Sequence, residues 1–271
     1  MRVYHQPSGS SHITPGVKRI MTCTIAVFAI QVIATSVMKT SFIEDYFALT
    51  PRKAIENFWI WQFFTHGFMH NVLSFWHIFF NMLALFFFGH VVERRYGTSK
   101  FYICYIGCIV FAAIVHAINA YINTSAGIPA VGASGAIMGI LMVAACLMPH
   151  ATVYFMFILP MRMRTLIWIL IGFELYNALM FPHSSVSAAA HLGGLAAGYL
   201  FFRYGQGVIQ WIDRLEMQME KQNKIQEQKK YKNMRGKVDE LLDKINSNGI
   251  NSLSDKEKDF LKKASKKYRD D

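Results

Sequence analysis

The first 204 residues of this 271-residue chain contain very little charge. They hold 12 Lys or Arg and 5 Asp or Glu, and the whole chain is 17% charged, whereas an ordinary soluble domain is about 25% charged. So few charges cannot cover the surface of a soluble domain of that size, and 53% of the chain is apolar. The composition excludes disordered, fibrous and disulfide-stapled secreted proteins and predicts an integral membrane protein with a charged, soluble tail.

Cysteine and aspartate are both scarce in the apolar part of the chain, which excludes two kinds of chemistry. The four cysteines lie in apolar runs, where a free cysteine behaves as a small hydrophobic residue, so no disulfide framework is expected. Aspartyl intramembrane proteolysis needs two membrane aspartates, and the first 204 residues contain a single one, Asp45, in a predicted loop.

The histidines His66 and His70 are four residues apart but lack the glutamate of an HExxH zinc site. The sequence therefore predicts neither a metal nor another cofactor.

Long uncharged segments determine the expected number of membrane crossings. A helix needs about 20 mostly apolar residues to span a bilayer. The predicted crossings are residues 20–38, 72–92, 101–122, 133–149, 164–180 and 187–204. The expected fold class is an all-α membrane protein, a six-helix bundle with a small helical tail. Its expected parts are an N-terminal segment at 1–19, the membrane domain at 20–204 and the tail at 205–271.

The placement of Lys and Arg predicts the orientation of the chain. Six crossings put both termini on one side. Basic residues precede crossing one, connect crossings two and three, and precede crossing five, whereas the loops at 123–131 and 181–186 have none. Only the long first loop, with Lys39, Arg52 and Lys53, departs from this pattern. We expect both termini in the cytoplasm and a multi-pass protein of a bacterial cell (inner) membrane.

Four polar side chains are expected at a common depth. Crossings two, four and six all run inward, so their first turns lie in the outer leaflet. His77 and Asn81 lie one turn apart on crossing two. Ser134 and His191 lie near the starts of crossings four and six. Because polar side chains at membrane depth usually face the protein interior or a wet cavity, these four residues predict a polar cluster inside the bundle.

Glycines beside Ser134 and His191 allow the helices to approach each other. Each of the two residues is followed by two glycines four positions apart, and another glycine precedes Ser134. The glycines expected to support helix packing are Gly132, Gly135, Gly139, Gly194 and Gly198. Small residues at this spacing permit close backbone contact, since packing rather than hydrophobicity holds helices together in lipid. Packing along these glycines would bring Ser134 and His191 together.

A serine in contact with a histidine can perform acyl transfer. Serine is a poor nucleophile until a base takes its proton, and histidine is the usual base. Residues 132–134 open a helix, where backbone N–H groups lack intrahelical partners and the dipole favours a developing oxyanion. His77 and Asn81 can donate to the same oxygen. The pattern favours hydrolysis with Ser134 as nucleophile and His191 as general base.

Three motifs together resemble those of the rhomboid intramembrane serine proteases. They are GASG around Ser134, AHLGG around His191 and HIFFN beginning at His77. The resemblance covers about residues 55–204 and includes the order of the motifs along the chain. It implies a Ser134–His191 dyad with no third acidic member. It also implies an oxyanion hole formed by His77, Asn81 and the Ser134 backbone N–H.

The resemblance further implies a partly embedded first loop, and a substrate gate formed by crossing five and its outer loop. The implied reaction is hydrolysis of a peptide bond in or near a transmembrane segment of another membrane protein. The expected partners are therefore transmembrane protein substrates and the lipid bilayer. Two positions depart from the family pattern. Gln62 follows Trp61 where the family often has Arg, and Met138 stands where an aromatic residue often packs on the catalytic histidine.

Non-catalytic interpretations remain open beside the enzymatic one. A single intramembrane serine more often eases helix packing than serves catalysis, and a single histidine is as often satisfied by a neighbouring helix or a lipid headgroup. An inactive rhomboid-like protein would bind transmembrane segments without cleaving them, although a binder has no need of both Ser134 and His191. A transporter usually has repeated halves, and this sequence shows no convincing internal repeat. His66 and His70 are expected to line a cavity or interface, and with Asn71 and Ser74 to keep a wet channel open to the outer face.

Glu174 is the most costly residue of the predicted membrane core. It lies near mid-membrane by residue count. Two interpretations are open, namely a protonated acid bonded to a neighbouring helix or a member of a functional polar network. Because the count makes it deeper than Ser134 and His191, it is not expected to act as the acid of a catalytic triad.

The tail is charged and has a helical pattern. Apolar residues at helical spacing over 208–219 predict that crossing six continues as an amphipathic helix. Residues 237–245 predict a short helix, Asn248-Gly249 a turn, and Ser254 with Glu257 a capping box. The charges alternate in sign, so no nucleic-acid binding is expected. The sequence carries no indication of oligomeric state.

Overall fold

The computed structural model describes residues 13–155, 158–181 and 188–270. This part of the chain is mostly helical, as the composition predicted. It divides into two compact units, Met1–Val208 and Ile209–Asp271.

The first unit contains ten α-helices and one β-hairpin within its described residues. The helices are α1 (Pro15–Val32), α2 (Phe42–Phe47), α3 (Pro51–Glu56), α4 (Gln62–Thr65), α5 (Phe75–Ala84), α6 (His90–Tyr96), α7 (Thr98–Ile122), α8 (Ser134–Leu147), α9 (Met163–Met180) and α10 (Ala188–Tyr204). Short π-helical segments, Ile33–Val37 and Leu85–Gly89, extend α1 and join α5 to α6. A 3-10 turn, His66–Phe68, follows α4.

Four helical segments of the described chain are long and apolar enough to cross a membrane. They are Pro15–Val37, Phe75–Tyr96, Thr98–Ile122 and Met163–Met180, which correspond to predicted crossings one, two, three and five. The counterparts of crossings four and six are shorter, with 14 residues in α8 and 17 in α10. At 1.5 Å per residue α8 is about 21 Å long, less than the hydrocarbon core of about 30 Å.

The glycines at the α8–α10 contact account for its closeness. The carbonyl oxygen of Gly135 occupies the space that a side chain on Gly194 would need, and the Gly139 oxygen does the same at Gly198. Helix α7 flanks this contact, and the Cys108 side chain packs against Gly139. Helices α7, α8 and α10 therefore form the most tightly packed part of the unit.

The N-terminus of α1 is fastened to α6 by one buried carboxylate. Glu93 accepts hydrogen bonds from the backbone N–H groups of Gly16 and Val17, at 2.7 and 2.8 Å. It also accepts from the hydroxyl groups of Thr14 and Thr98. The unpaired N–H groups and positive dipole end of α1 thus compensate the burial of the Glu93 charge.

Helix α9 is attached to the rest of the unit mainly by its first half. Met163, Leu166 and Ile167 are buried, whereas from 168 to the end of this fully described helix only Glu174 is buried. Large apolar side chains such as Trp168 are exposed on its outside, as expected for a surface that faces lipid. The second half of α9 therefore touches its neighbours through few side chains.

The segment between α8 and α9 lies between predicted crossings four and five, and no element was predicted for it. It forms an antiparallel hairpin of β1 (Thr152–Phe155) and β2 (Leu159–Arg162), in which Thr152 pairs with Arg162. Most side chains of both strands are exposed, so the sequence shows no alternation of buried and exposed residues that would predict strands there.

The second unit consists of the greater part of α11 (Gln206–Asn248), a 3-10 turn (Ile250–Ser252) and α12 (Asp255–Asp270). The predicted turn is present, with Gly249 at a φ of +76° that favours glycine. The predicted capping box is also present, since Glu257 accepts hydrogen bonds from the N–H and hydroxyl groups of Ser254. The separate helix predicted over 237–245 is wrong, because α11 is continuous through that segment.

Candidate active site

Ser134 is the first residue of α8, and a special backbone position precedes it. Gly132 has a φ of +134°, which L side chains rarely adopt. A Cβ atom at Gly132 would also lie 2.9 Å from His77 Nε2. The Gly132 N–H donates to the His66 carbonyl oxygen at 3.0 Å, which fixes this turn against the first loop. Glycine is therefore required here for both conformation and space.

His191 lies in the first turn of α10, and its ring meets Ser134. The distance between His191 Nε2 and Ser134 Oγ is 2.8 Å, a hydrogen bond of ordinary length for these atoms. The His191 side chain is largely buried, with 13% exposed. The glycine contact between α8 and α10 thus brings these two residues together.

Glu174 is the third member of this hydrogen-bonded chain. Its Oε1 atom lies 2.8 Å from His191 Nδ1, on the side of the ring opposite Ser134. Glu174 lies deeper than His191, as the residue count predicted, but its side chain reaches the ring, so the depth is no ground for leaving it out of this cluster. Glu174 lies six residues before the outer end of α9, and His191 lies three residues after the outer end of α10. At 1.5 Å per residue, Glu174 is therefore about 4.5 Å deeper than His191. A glutamate side chain can span that difference.

His77 faces the same site from α5. It lines a cavity together with Ser134 and His191. The Asn71 N–H points to His77 Nδ1 at 3.5 Å, a long hydrogen bond in which Nδ1 is the acceptor. A neutral ring that accepts at Nδ1 carries its proton on Nε2, the atom beside Gly132. His77 can therefore donate a hydrogen bond close to Ser134.

Asn81 is buried one turn further along α5, but it is not among the described residues that line the cavity. Its Nδ2 atom lies 3.0 Å from His70 Nε2. One amide N–H of Asn81 is thereby used by His70, and the second N–H is the one that an oxyanion could receive. The structure therefore brings His77 to the cavity and holds Asn81 behind the lining.

His70 is held in turn by Gln31 of α1. The Gln31 side chain accepts from the His70 N–H at 3.0 Å and donates to the His70 carbonyl oxygen at 3.1 Å. Burial, with the nearby His77 as a smaller cause, lowers the pKa of His70 to about 3. His70 is thus neutral at physiological pH and able to accept from Asn81. Gln31 was missed from sequence, although a fully buried glutamine in an apolar crossing is a signal of an internal partner.

Comparison with known proteins bears on the same residues. Residues 57–205, more than half of the chain, match the Rhomboid domain family. The chain belongs to the rhomboid family. This match contains Ser134, His191, Glu174, His77 and Asn81. Residues 221–267 match a second family, described as a family of unknown function (DUF6576).

Two relatives of this rhomboid are similar over its central part. RHOMBOID-like protein 12, mitochondrial, from Arabidopsis thaliana is 33% identical over 145 residues, which are 49% of this chain and 42% of the relative. Rhomboid protein 1, mitochondrial, from Saccharomyces cerevisiae is 30% identical over 139 residues, 48% of this chain and 38% of the relative. The rhomboid thus spans about two fifths of the length of these relatives. Their names refer to mitochondria and lend no support to the expected bacterial membrane.

The first loop of this rhomboid is anchored by Gln62, the residue that departs from the family pattern. Gln62 is fully buried. Its Oε1 atom accepts from the Thr50 N–H at 3.0 Å, and its Nε2 atom donates to the Tyr46 carbonyl oxygen at 3.2 Å. The indole N–H of Trp61 donates to the same carbonyl at 2.9 Å. The loop therefore has buried anchors without an arginine. Met138, the second departure, is partly buried and packs against the core.

The cavity at the site is large, and its mostly apolar lining includes several polar side chains. Its volume is 910 Å³, and it extends from Ser134 and His191 to Thr35 in the π-helical segment after α1 and to residues of the first loop, including Lys39 and Glu44. The four polar residues expected to form a wet channel, His66, His70, Asn71 and Ser74, all line it. Burial lowers the pKa of His66 to about 4, so this ring is neutral near pH 7. The cavity leaves open space next to Ser134.

Proposed function

We propose that the protein is an intramembrane serine endopeptidase that hydrolyses peptide bonds in or near transmembrane segments of other membrane proteins. The observation that carries this proposal is the 2.8 Å hydrogen bond between Ser134 Oγ and His191 Nε2 at the wall of a cavity that His77 also lines. A serine that shares its proton with a histidine is activated for attack on a carbonyl carbon. Membership of the rhomboid family supports the same reaction class.

In the proposed reaction, Ser134 Oγ attacks the carbonyl carbon of the scissile peptide bond while His191 Nε2 takes the hydroxyl proton. Negative charge develops on the carbonyl oxygen. Backbone N–H groups at the start of α8 and the Nε2–H of His77 are the donors available to it, with Asn81 behind them. His191 then gives the proton to the leaving amine, and the bond between carbon and nitrogen breaks.

Water completes the cycle by hydrolysing the acyl-enzyme. His191 takes a proton from this water, hydroxide adds to the ester carbonyl, and Ser134 leaves with the proton returned to it. This step requires water at a site surrounded by apolar helices. Four polar residues of the cavity lining support the access of water, namely His66, His70, Asn71 and Ser74.

The preferred substrates have small or helix-weakening residues near the end of their transmembrane segment. An intact helix hides its peptide bonds behind side chains and internal hydrogen bonds, so the segment must unwind to present a carbonyl to Ser134. Glycine and similar residues reduce the cost of unwinding. A transmembrane segment of leucines alone is expected to be a poor substrate.

The membrane domain is proposed to cross the bilayer six times, with both termini on the cytoplasmic side. The shorter helices α8 and α10 would supply crossings four and six, since Ser134 opens α8 at the cavity and the residues just before it are not helical. Lys and Arg residues at the start of α1, at the α6–α7 junction and at the start of α9 support this orientation.

The decisive experiment labels the purified full-length protein in detergent with a fluorophosphonate, which reacts with activated serines, and maps the adduct. We expect the adduct on Ser134, and we expect cleavage of a model transmembrane substrate. Ser134→Ala and His191→Ala should each abolish both signals, whereas the matched control Ser125→Ala should retain them. A folded wild-type protein that neither labels nor cleaves would overturn the proposal and favour the alternative, an inactive family member.

A further inference from the structure

Glu174 makes a contact that the proposed dyad does not require. Its carboxylate is 97% buried, as its relative exposure is 3%, and its Oε1 atom lies 2.8 Å from His191 Nδ1. A buried carboxylate is costly unless a partner compensates it. Helix α9 could place an apolar residue here at less cost, and its exposed residues on either side, Phe173 and Leu175, are apolar.

The two hydrogen bonds of His191 fit the state of the ring that the proposed reaction needs. To act as base towards Ser134, the neutral imidazole must have Nε2 free to accept, so its proton is on Nδ1. That proton is donated to Glu174 Oε1. With the proton on the other nitrogen, the ring could not accept from Ser134. Glu174 therefore favours the tautomer and the orientation that the reaction needs.

The charge of Glu174 has a second effect once the reaction starts. When His191 takes the proton from Ser134 it becomes a cation, and a carboxylate in contact with Nδ1 stabilises that cation. The interaction takes place where both side chains are largely withdrawn from water, at 13% and 4% side-chain exposure, so solvent screens it weakly. Stabilisation is thus stronger for the reacting state than for the resting one.

We propose that Glu174 is a positioning residue for His191, so that this protein works with a Ser134–His191–Glu174 triad. The proposal rests on the proposed serine protease function and deepens it. Glu174 acts through the imidazole and touches neither the substrate nor the serine. An acid on α9 thereby adds to a site whose other members come from α5, α8 and α10.

The test compares Glu174→Gln, Glu174→Asp and wild-type protein by the fluorophosphonate labelling rate and by the pH dependence of kcat/KM for a model transmembrane substrate. Gln keeps the shape and a hydrogen bond but loses the charge. We expect Glu174→Gln to slow labelling and lower kcat by at least about tenfold, as loss of the acid does in soluble triads. The acid limb of its pH profile should move to lower pH, because the imidazolium loses its carboxylate.

Glu174→Asp retains the charge on a side chain one methylene shorter. Its rate is expected to lie between those of wild-type and Glu174→Gln, with the acid limb nearer the wild-type position. A purely structural carboxylate would lower thermal stability and leave the acid limb in place. Rates are therefore expressed per folded molecule, measured on the monodisperse fraction from size-exclusion chromatography.

Glu93→Gln is the matched control, since it neutralises the buried carboxylate that fastens α1 to α6 rather than the one at His191. It should lower thermal stability without moving the acid limb. An active wild-type protein whose Glu174→Gln variant has the same rate and the same pH profile would overturn the triad and leave the serine protease proposal intact. An inactive wild-type protein would overturn both.

Discussion

A Cβ atom on Gly194 would overlap the carbonyl oxygen of Gly135, because the backbones of α10 and α8 are in direct contact at this point. Gly194 lies three residues after His191, and Gly135 directly follows Ser134. The separation of the two helices at this contact is therefore also what sets the 2.8 Å distance between the two side chains.

Replacing Gly194 by alanine should force α8 and α10 apart. Overpacking in a close-packed interior costs about 1–3 kcal/mol, and a clash with backbone leaves little room for relaxation. We expect Gly194→Ala to lower the melting temperature in detergent and to reduce the fluorophosphonate labelling rate of the folded protein more than tenfold.

The control for this variant is Gly172→Ala on α9, where no described atom lies within 4 Å of the added methyl group. It should change stability by about 1 kcal/mol or less, the difference in helix propensity between the two residues. A Gly194→Ala protein with the stability and labelling rate of Gly172→Ala would show that the helices can separate without consequence.

Gln62→Leu tests the anchoring of the first loop. The leucine leaves the buried Thr50 N–H and one bond of the Tyr46 carbonyl unpaired, and each unsatisfied group costs about 1–3 kcal/mol. We expect a lower melting temperature and faster proteolytic cleavage within residues 42–61. Asn57→Leu, an exposed amide in the same loop, should behave as wild type in both assays. Equal proteolysis of the two variants would argue against an anchoring role.

Gln31→Leu tests the support behind Asn81. Loss of the Gln31 side chain frees the backbone of His70, whose ring accepts from Asn81. If Asn81 contributes to the oxyanion hole, kcat should fall several-fold with little change in KM, since the transition state is affected more than substrate binding. The polar-to-apolar control is Thr22→Leu on the exposed face of α1, which should leave kcat unchanged. An unaltered kcat in Gln31→Leu would remove His70 and Gln31 from the supporting residues.

The start of α12 should be sensitive to acid. Glu257 accepts from Lys244 at 2.9 Å and from Ser254, and these donors lower its pKa from 4.5 to about 2. Because the folded-state value lies below the unfolded one, the stabilisation is fully present above about pH 4.5 and is lost as pH falls towards 2. Amide exchange in the full-length chain, corrected for intrinsic rates, should show protection near residue 257 falling over that interval. In Glu257→Gln the protection should no longer depend on pH over this interval. A pH dependence that persists in this variant would show that another group causes it.

Local patterns in the sequence were sufficient for several features of the fold and site. The four-residue glycine spacing predicted the α8–α10 contact, and the common depth of Ser134 and His191 predicted that they would meet. Both inferences use properties of a single helix, namely its periodicity and its direction. The Ser254–Glu257 capping box is local in the same sense.

Other features depend on contacts between different helices and loops, which cannot be derived from residue positions along one helix. Glu174 was excluded from the site because depth was counted along the backbone, without the reach of the side chain. Gln31 was missed because its partner, His70, is 39 residues away in an irregular loop. The short length of α8 follows from the loop that enters the bundle before Ser134, and the hydropathy of the segment gives no sign of that entry.

Because few side chains of α9 are buried, the position of this helix affects the hydrogen bonding of His191 on α10. Beyond Ile167 its only buried side chain is Glu174, whose carboxylate is bonded to His191. A lipid or an incoming peptide that wedges between α9 and α10 must therefore break this bond, leaving the imidazole without its acid until the helix returns. In the proposed reaction, the entry of a segment between α9 and α10 and the Glu174–His191 bond would exclude each other, so a transmembrane segment that stays between the two helices would slow its own cleavage.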